Sequence, residues 1–218
     1  METNVQIKHS RGDAREALGM HLLNLYWFGE LQLDDPLLTQ FYERAPAYVL
    51  SELTREIGRV FRQETEIRPE VLQRLMALCD KRLEIASSRT LPDPIKRMMD
   101  EELAWFASWF EIAALPADWR LERLGRILRL VPRIDAHNIS VDRLVKEIPT
   151  YLAAVVRCFK LLSEKLPQDA YLSSERDAAK AILRAGLQST DRNIHDDAVQ
   201  ARDNLLRAGR FEFMQLGD

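Results

Sequence analysis

A chain of 218 residues with 46% hydrophobic residues can bury a sizeable core, which excludes wholesale disorder. Its formal net charge of −3 and isoelectric point near 5.9 do not suit a dedicated nucleic-acid or membrane-surface binder. Only 8 glycines and 9 prolines stand among abundant Leu, Ala, Glu and Arg, a composition that favours helix.

In chain order, residues Gly12 to Leu31 carry Leu18, Leu22, Leu25 and Phe28 at helical spacing. Asp35-Pro36 starts a short helix, with Asp as N-cap and Pro at the first helical position. Leu37, Leu38, Phe41 and Tyr42 form its apolar side. Pro46 opens the next helix, whose stripe is Val49, Leu50, Leu53, Ile57, Val60 and Phe61. Pro69 opens another, with Leu72, Leu75, Met76, Cys79, Leu83 and Ala86 on one side, and a loop follows from Ser87 to Pro92.

Asp93-Pro94 repeats the start signal. Ile95, Met98, Met99, Leu103, Phe106 and Phe110 form one stripe, and Trp105, Trp109 and Ile112 a second. A helix apolar on two sides is expected between neighbours, so both tryptophans are predicted to be core. Leu115-Pro116 breaks it, and a return helix runs from Trp119 to Val131, ended by Pro132. After a loop holding His137, Asn138 and Ser140, a short helix spans about Val141 to Glu147. Pro149 then opens a long helix bearing Leu152, Val155, Val156, Phe159 and Leu162. Ser174-x-x-Asp177 resembles a capping box, and Asp191 caps the last helix. Gly209 is expected to end that helix as a C′ residue. Phe211, Phe213 and Leu216 beyond it are too apolar to trail in water. An extended tail would turn both phenylalanines to one side, over the last hairpin near Leu183, Leu187 and Leu205.

No segment reads as a strand. The helices opened at Pro46, Pro94 and Pro149 are 48 and 55 residues apart, near the roughly 40–47 residues of helical-hairpin arrays. The expected fold is all-α: a short α-solenoid of antiparallel helix hairpins, HEAT-like, with an irregular helical bundle as the alternative. Residues 1–218 read as a single helical-repeat domain, with any subdivision near 87–93.

The chemistry is marked by absences. Neither G-x-x-x-x-G-K-[ST] nor G-x-G-x-x-G occurs, nor H-E-x-x-H, nor G-x-S-x-G. No cofactor, metal or catalytic residue is therefore expected. Cys79 and Cys158 sit in apolar helical runs and read as buried free thiols of a reducing compartment. His21, between Met20 and Leu22, reads as a partly buried core histidine. His195-Asp196-Asp197 makes a poor chelate, because adjacent helical residues point about 100° apart. Asp100, Glu101 and Glu102 could supply paired carboxylates, but a solvated acidic face is the simpler reading. Trp105 and Trp109 could stack on a base or sugar, yet core packing fits their neighbours better.

Lys and Arg total 31, of which 24 are Arg. GC-rich codon usage is the plain cause; Arg-rich interface chemistry is the functional one. Arg123, Arg126, Arg129 and Arg133 fall within an arc of roughly 120° on the return helix, opposite Leu121, Leu124, Leu128 and Val131. That row could grip phosphates or acidic partners, against the reading of a solvated face paired with Glu122. With Phe211 and Phe213 it forms the set of candidate interaction residues.

Arg11-Gly12-Asp13-Ala14-Arg15-Glu16-Ala17-Leu18-Gly19, then Leu25-Tyr26-Trp27 and Leu33-Asp34-Asp35-Pro36-Leu37, resemble the C-terminal helical-repeat region of large bacterial multidomain proteins. Trp105-Phe106-Ala107-Ser108-Trp109-Phe110 and Gly209-Arg210-Phe211-Glu212-Phe213 look like the same region. Some of those proteins are similar to STAND-type NTPases linked to defence against phage, in which the repeats act as sensor or scaffold. The resemblance covers nearly the whole chain and implies a non-catalytic role. It transfers no functional residue, because its motif is structural.

The leading expectation is a scaffold or sensor that binds a protein partner. One rival is a nucleic-acid-acting enzyme similar to the HEAT-like DNA glycosylases, disfavoured by the acidic isoelectric point. The other is a small-ligand-binding helical bundle. Met1-Glu2-Thr3-Asn4-Val5 lacks the regions of a signal peptide, and no apolar run approaches about 18 residues. A soluble, cytoplasmic protein without membrane association is expected, with its oligomeric state left open.

Overall fold

The computed structural model describes residues 14–64, 66–88, 93–132, 134, 139–165 and 175–216, with the backbone alone for 93–98. Helix makes up 79% of the structure, and no strand occurs among the described residues. The fold is all-α.

The chain divides into two compact units, the first ending at Ala114 and the second beginning at Leu115. The first holds α1 (Ala14–Phe28), α2 (Pro36–Arg44), α3 (Ala47–Gln63), α4 (Pro69–Ala86) and α5 (Asp93–Ala107), then a 3-10 turn at Ser108–Glu111. Its most extensive packing is α3 on α5, and α1 packs on α2, α3 and α4. The second holds α6 (Ala117–Leu130), α7 (Val141–Lys146), α8 (Ile148–Lys165), α9 (Arg176–Leu187) and α10 (Arg192–Arg207), then a 3-10 turn at Phe211–Phe213. There α8 is central and packs on α6, α7, α9 and α10.

The start signals act as the sequence suggests. The Asp35 carboxylate accepts the Leu37 N–H at 2.9 Å with Pro36 at the first helical position. Ser140 accepts from Arg143 N, and Asp191 from Asn193 N at 2.8 Å. Pro46 precedes α3, and Pro94 and Pro149 lie at the second positions of α5 and α8. Tyr151, at φ −130° and ψ 36°, separates the opening turn of α8 from its regular part. The expected capping box at α9 differs: Ser174 lies outside the described residues, and Glu175 holds the N-cap position. Its carboxylate caps nothing on α9 and instead accepts the Val141 N–H at 2.9 Å, tying the starts of α7 and α9 together.

Helix α1 departs from the expected stripe. Leu18 and Phe28 are exposed, and the buried face is Gly19, Met20, Leu22, Leu23, Tyr26 and Trp27. The cause is steric. A Cβ at Gly19 would stand 2.4 Å from Phe41 Cζ and 2.5 Å from Leu53 Cδ1, so the glycine side is where α2 and α3 close in. Arg11, Gly12 and Asp13, part of the quoted resemblance, lie outside the described residues. His21 is exposed rather than partly buried, because it lies off that face.

Trp109 is buried at 1% exposure, as expected, and its indole N–H donates to Thr54 O at 3.0 Å. A Cβ at Gly58 would stand 2.8 Å from Trp109 Cδ1, so the ring occupies the space that the glycine leaves. Trp105 corrects the two-sided burial: it is only half-buried, with the Arg55 guanidinium 5.8 Å from its ring centroid. The shift to a 3-10 turn at Ser108 alters the register, so Trp105 and Trp109 no longer share one helical face.

Gly209 ends α10 at φ 80°. Arg210 N donates to Leu205 O at 3.0 Å and Gly209 N to Leu206 O at 2.9 Å, the paired bonds of a Schellman motif. The tail is a 3-10 turn packed on α10, not an extended segment. Phe213 is therefore fully buried while Phe211 is 65% exposed, so only one ring covers the helix.

Two stability outcomes follow. Trp109→Ala is expected to lower unfolding stability by about 3–5 kcal/mol in urea titrations. Deleting residues after Arg210 should cost about 1.5–3 kcal/mol before tail-ordering entropy is subtracted, because α10 loses the one phenylalanine buried against it. An unchanged midpoint in the second case would mean that Phe213 stabilises nothing.

Candidate functional site

Two charged clusters, one in each unit, are the candidates for function. In the first, Arg82 of α4 and Glu102 of α5 form a bidentate pair: Nε to Oε1 at 2.9 Å and Nη2 to Oε2 at 2.6 Å. Glu102 is fully buried, which corrects the expected solvated acidic face; Glu101 alone of Asp100, Glu101 and Glu102 is fully exposed. Tyr42 of α2 lies over the guanidinium, 4.6 Å from ring centroid to Cζ. Burial, reinforced by the Glu102 charge, pushes the Tyr42 hydroxyl above its ordinary range. Burial alone would lower the Arg82 guanidinium, but the Glu102 charge and hydrogen bond carry it upward overall. Each charge is spent on the other, so the cluster holds helices together rather than moving protons.

The second cluster lies on α6, α8 and α10. A polar basin of about 550 Å³ is lined by Arg129 of α6, Arg157, Lys160 and Leu161 of α8, and Asn193, Asp196, Asp197 and Gln200 of α10. Lys160 Nζ donates to Asp197 Oδ1 at 2.5 Å, and Arg157 Nε is 4.0 Å from Asp197 Oδ2. Asp196, on the same wall, lies 3.7 Å from Arg192 and 3.6 Å from His195. Among the described residues Arg129 has no carboxylate partner.

The arginine row of α6 is divided by this geometry. Arg123 pairs with Glu122 at 2.6 Å and lies 5.5 Å from the Trp119 ring, so it is committed locally. Arg126 is half-buried and does not line the basin. Arg129 does, and Arg133 lies outside the described residues. The Arg157–Lys160 pair on α8 escaped the sequence reading. Its only signal is i,i+3 spacing on a helix whose other arc is apolar, a pattern shared by most solvated faces.

Cys79 and Cys158 are both buried, and neither forms a disulfide. Burial pushes the Cys158 thiol up to about 12, against the pull of Arg129 and Arg157, so it carries no thiolate near neutral pH. Its Sγ donates to Leu121 O at 3.4 Å. His195 is half-exposed, and among the described residues no three His, Cys, Asp or Glu side chains gather as metal ligands would. None of the helices, among the described residues, is long and apolar enough to cross a membrane.

No known protein family, characterised protein or solved structure matches the chain.

Removing one partner of the first cluster strands a buried charge. Glu102→Leu alone is expected to cost about 3–5 kcal/mol, while Arg82→Met with Glu102→Leu restores most of it; equal losses would show that the pair is not coupled. The second test is alkaline. The Cys158 proton is held to about 12 in the folded chain, against an ordinary value of 9.0. The folded state thus binds more protons between those values, and stability falls as pH rises through that window. The Tyr26 hydroxyl, also pushed up to about 12 by burial, adds to the same loss. Cys158→Ala should flatten this alkaline decline in part, read from urea midpoints between pH 9 and 12.

Proposed function

We propose that the chain is a non-catalytic helical-repeat module that binds a protein partner through the basin on α6, α8 and α10. The observation that carries this reading is the basin itself. It is an open concavity whose cations stand on neighbouring helices of one packed unit, with Arg129 lacking a carboxylate partner among the described residues. Its cations outnumber the carboxylates that line it, and a bound anion would relieve their mutual repulsion.

The solenoid reading is supported by packing between helices two apart in the chain. In the first unit α1 packs on α3 and α3 on α5; in the second α6 packs on α8, α8 on α10 and α7 on α9. Stacked hairpins produce that pattern, because each helix meets its counterpart in the next hairpin. The likeness to repeat regions of defence-associated NTPases fits a sensor or scaffold of this kind.

The test is a comparison of baits from the source cells. A chain carrying Arg129→Glu and Arg157→Glu should lose the partners that the unmodified chain enriches, at an unchanged melting temperature. Equal recovery by both baits would remove the basin from the binding surface.

A further inference from the structure

Resting on the reading of the basin as a docking surface, we propose that Arg129, Arg157 and Lys160 receive one phosphoryl group carried on a serine or threonine of the partner. The internal carboxylate of Asp197 marks the place. Its two oxygens lie 2.5 Å from Lys160 Nζ and 4.0 Å from Arg157 Nε, so the α8 cations already enclose an anion on one side. Arg129 approaches the same basin from α6 with its guanidinium fork uncommitted to any described carboxylate.

Charge selects the ligand. Asp196 and Asp197 face the three basin cations, and Arg192, 3.7 Å from Asp196, adds a fourth, so two positive charges are left over. A further carboxylate would leave the surplus incompletely met. A phosphoryl ester, at about −1.5 to −2 near neutral pH, matches it and offers three acceptor oxygens to two forks and an ammonium. The amides of Asn193 and Gln200 line the same wall and suit the backbone of a bound peptide. A nucleic acid fits less well. Its successive phosphates would have to run past Asp196 and Asp197 on α10, whereas one isolated phosphoryl group need not.

Titration calorimetry on the full chain tests this with a short neutral peptide bearing one phosphoserine, its unphosphorylated twin, and inorganic phosphate. The phosphopeptide should bind, its twin should not, and inorganic phosphate should bind more weakly than the peptide. Arg129→Ala and Arg157→Ala should each weaken phosphopeptide binding about tenfold or more, the usual effect of losing a charge-assisted hydrogen bond. Asp197→Asn should strengthen it severalfold, because the competing carboxylate is gone. That sign separates a binding site from a structural ion pair, whose loss would only destabilise the fold. No phosphopeptide binding, a weaker Asp197→Asn variant, or inorganic phosphate binding as tightly as the peptide would each overturn the proposal. Phosphatase treatment of a captured partner separates the two claims. Capture that depends on Arg129 and Arg157 but survives dephosphorylation overturns the phosphoryl inference and leaves the docking surface standing.

Discussion

Two helices can approach closely only where one of them lacks bulk, and both units depend on that constraint. In the first, the absent side chain of Gly58 admits Trp109, whose indole then reaches the Thr54 carbonyl one turn earlier on the same helix. In the second, a Cβ at Gly186 would stand 2.6 Å from the Ala198 Cβ and 3.1 Å from Val156 Cγ2. The small residues Gly186, Ala198 and Ala201 thus set how near α9, α10 and α8 can lie. Replacing any of them would push whole helices apart, not merely one side chain.

The basin is a consequence of this approach. Ala198 is fully buried beside Gly186 of α9, and its neighbour Asp197 is carried with it to within reach of Lys160. Arg157 and Lys160 flank Cys158 and Phe159, which turn inward, so the cations are driven to the opposite arc. Asn193 and Gln200 fall on the side of α10 that Ala198 and Ala201 do not occupy. Polar residues converge there because apolar ones claim the contact.

Arginine shows how far position governs role. Arg82 and Arg120 are buried and held by carboxylates, Glu102 in one case and Glu147 at 2.9 Å in the other. A buried guanidinium without such a partner would carry a large desolvation penalty, so these two are bound to structural duty. Arg129 and Arg157 keep their heads in water and their stems on the helix surface. They can meet an outside anion with little desolvation cost in advance. Chemically identical residues are divided between buried ion pairs and the exposed surface by their place in the packing.

The sequence by itself determined what is local. Proline and capping side chains set where α2, α3 and α10 begin, Gly209 set where α10 ends, and apolar spacing marked the stripes of α3, α6 and α8. These follow from backbone geometry within a few residues, which any single chain carries in its own order. Only tertiary structure decided the rest. Whether Glu102 meets water or Arg82 depends on which arc of α5 faces α4. Phe213 is covered and Phe211 left bare because the tail turns against α10. The convergence of Arg129 with Arg157 and Lys160 joins helices about thirty residues apart, and no periodicity within one helix encodes which neighbour it will face. Packing energy summed over many distant pairs makes that choice, so it becomes legible only once the helices are in place.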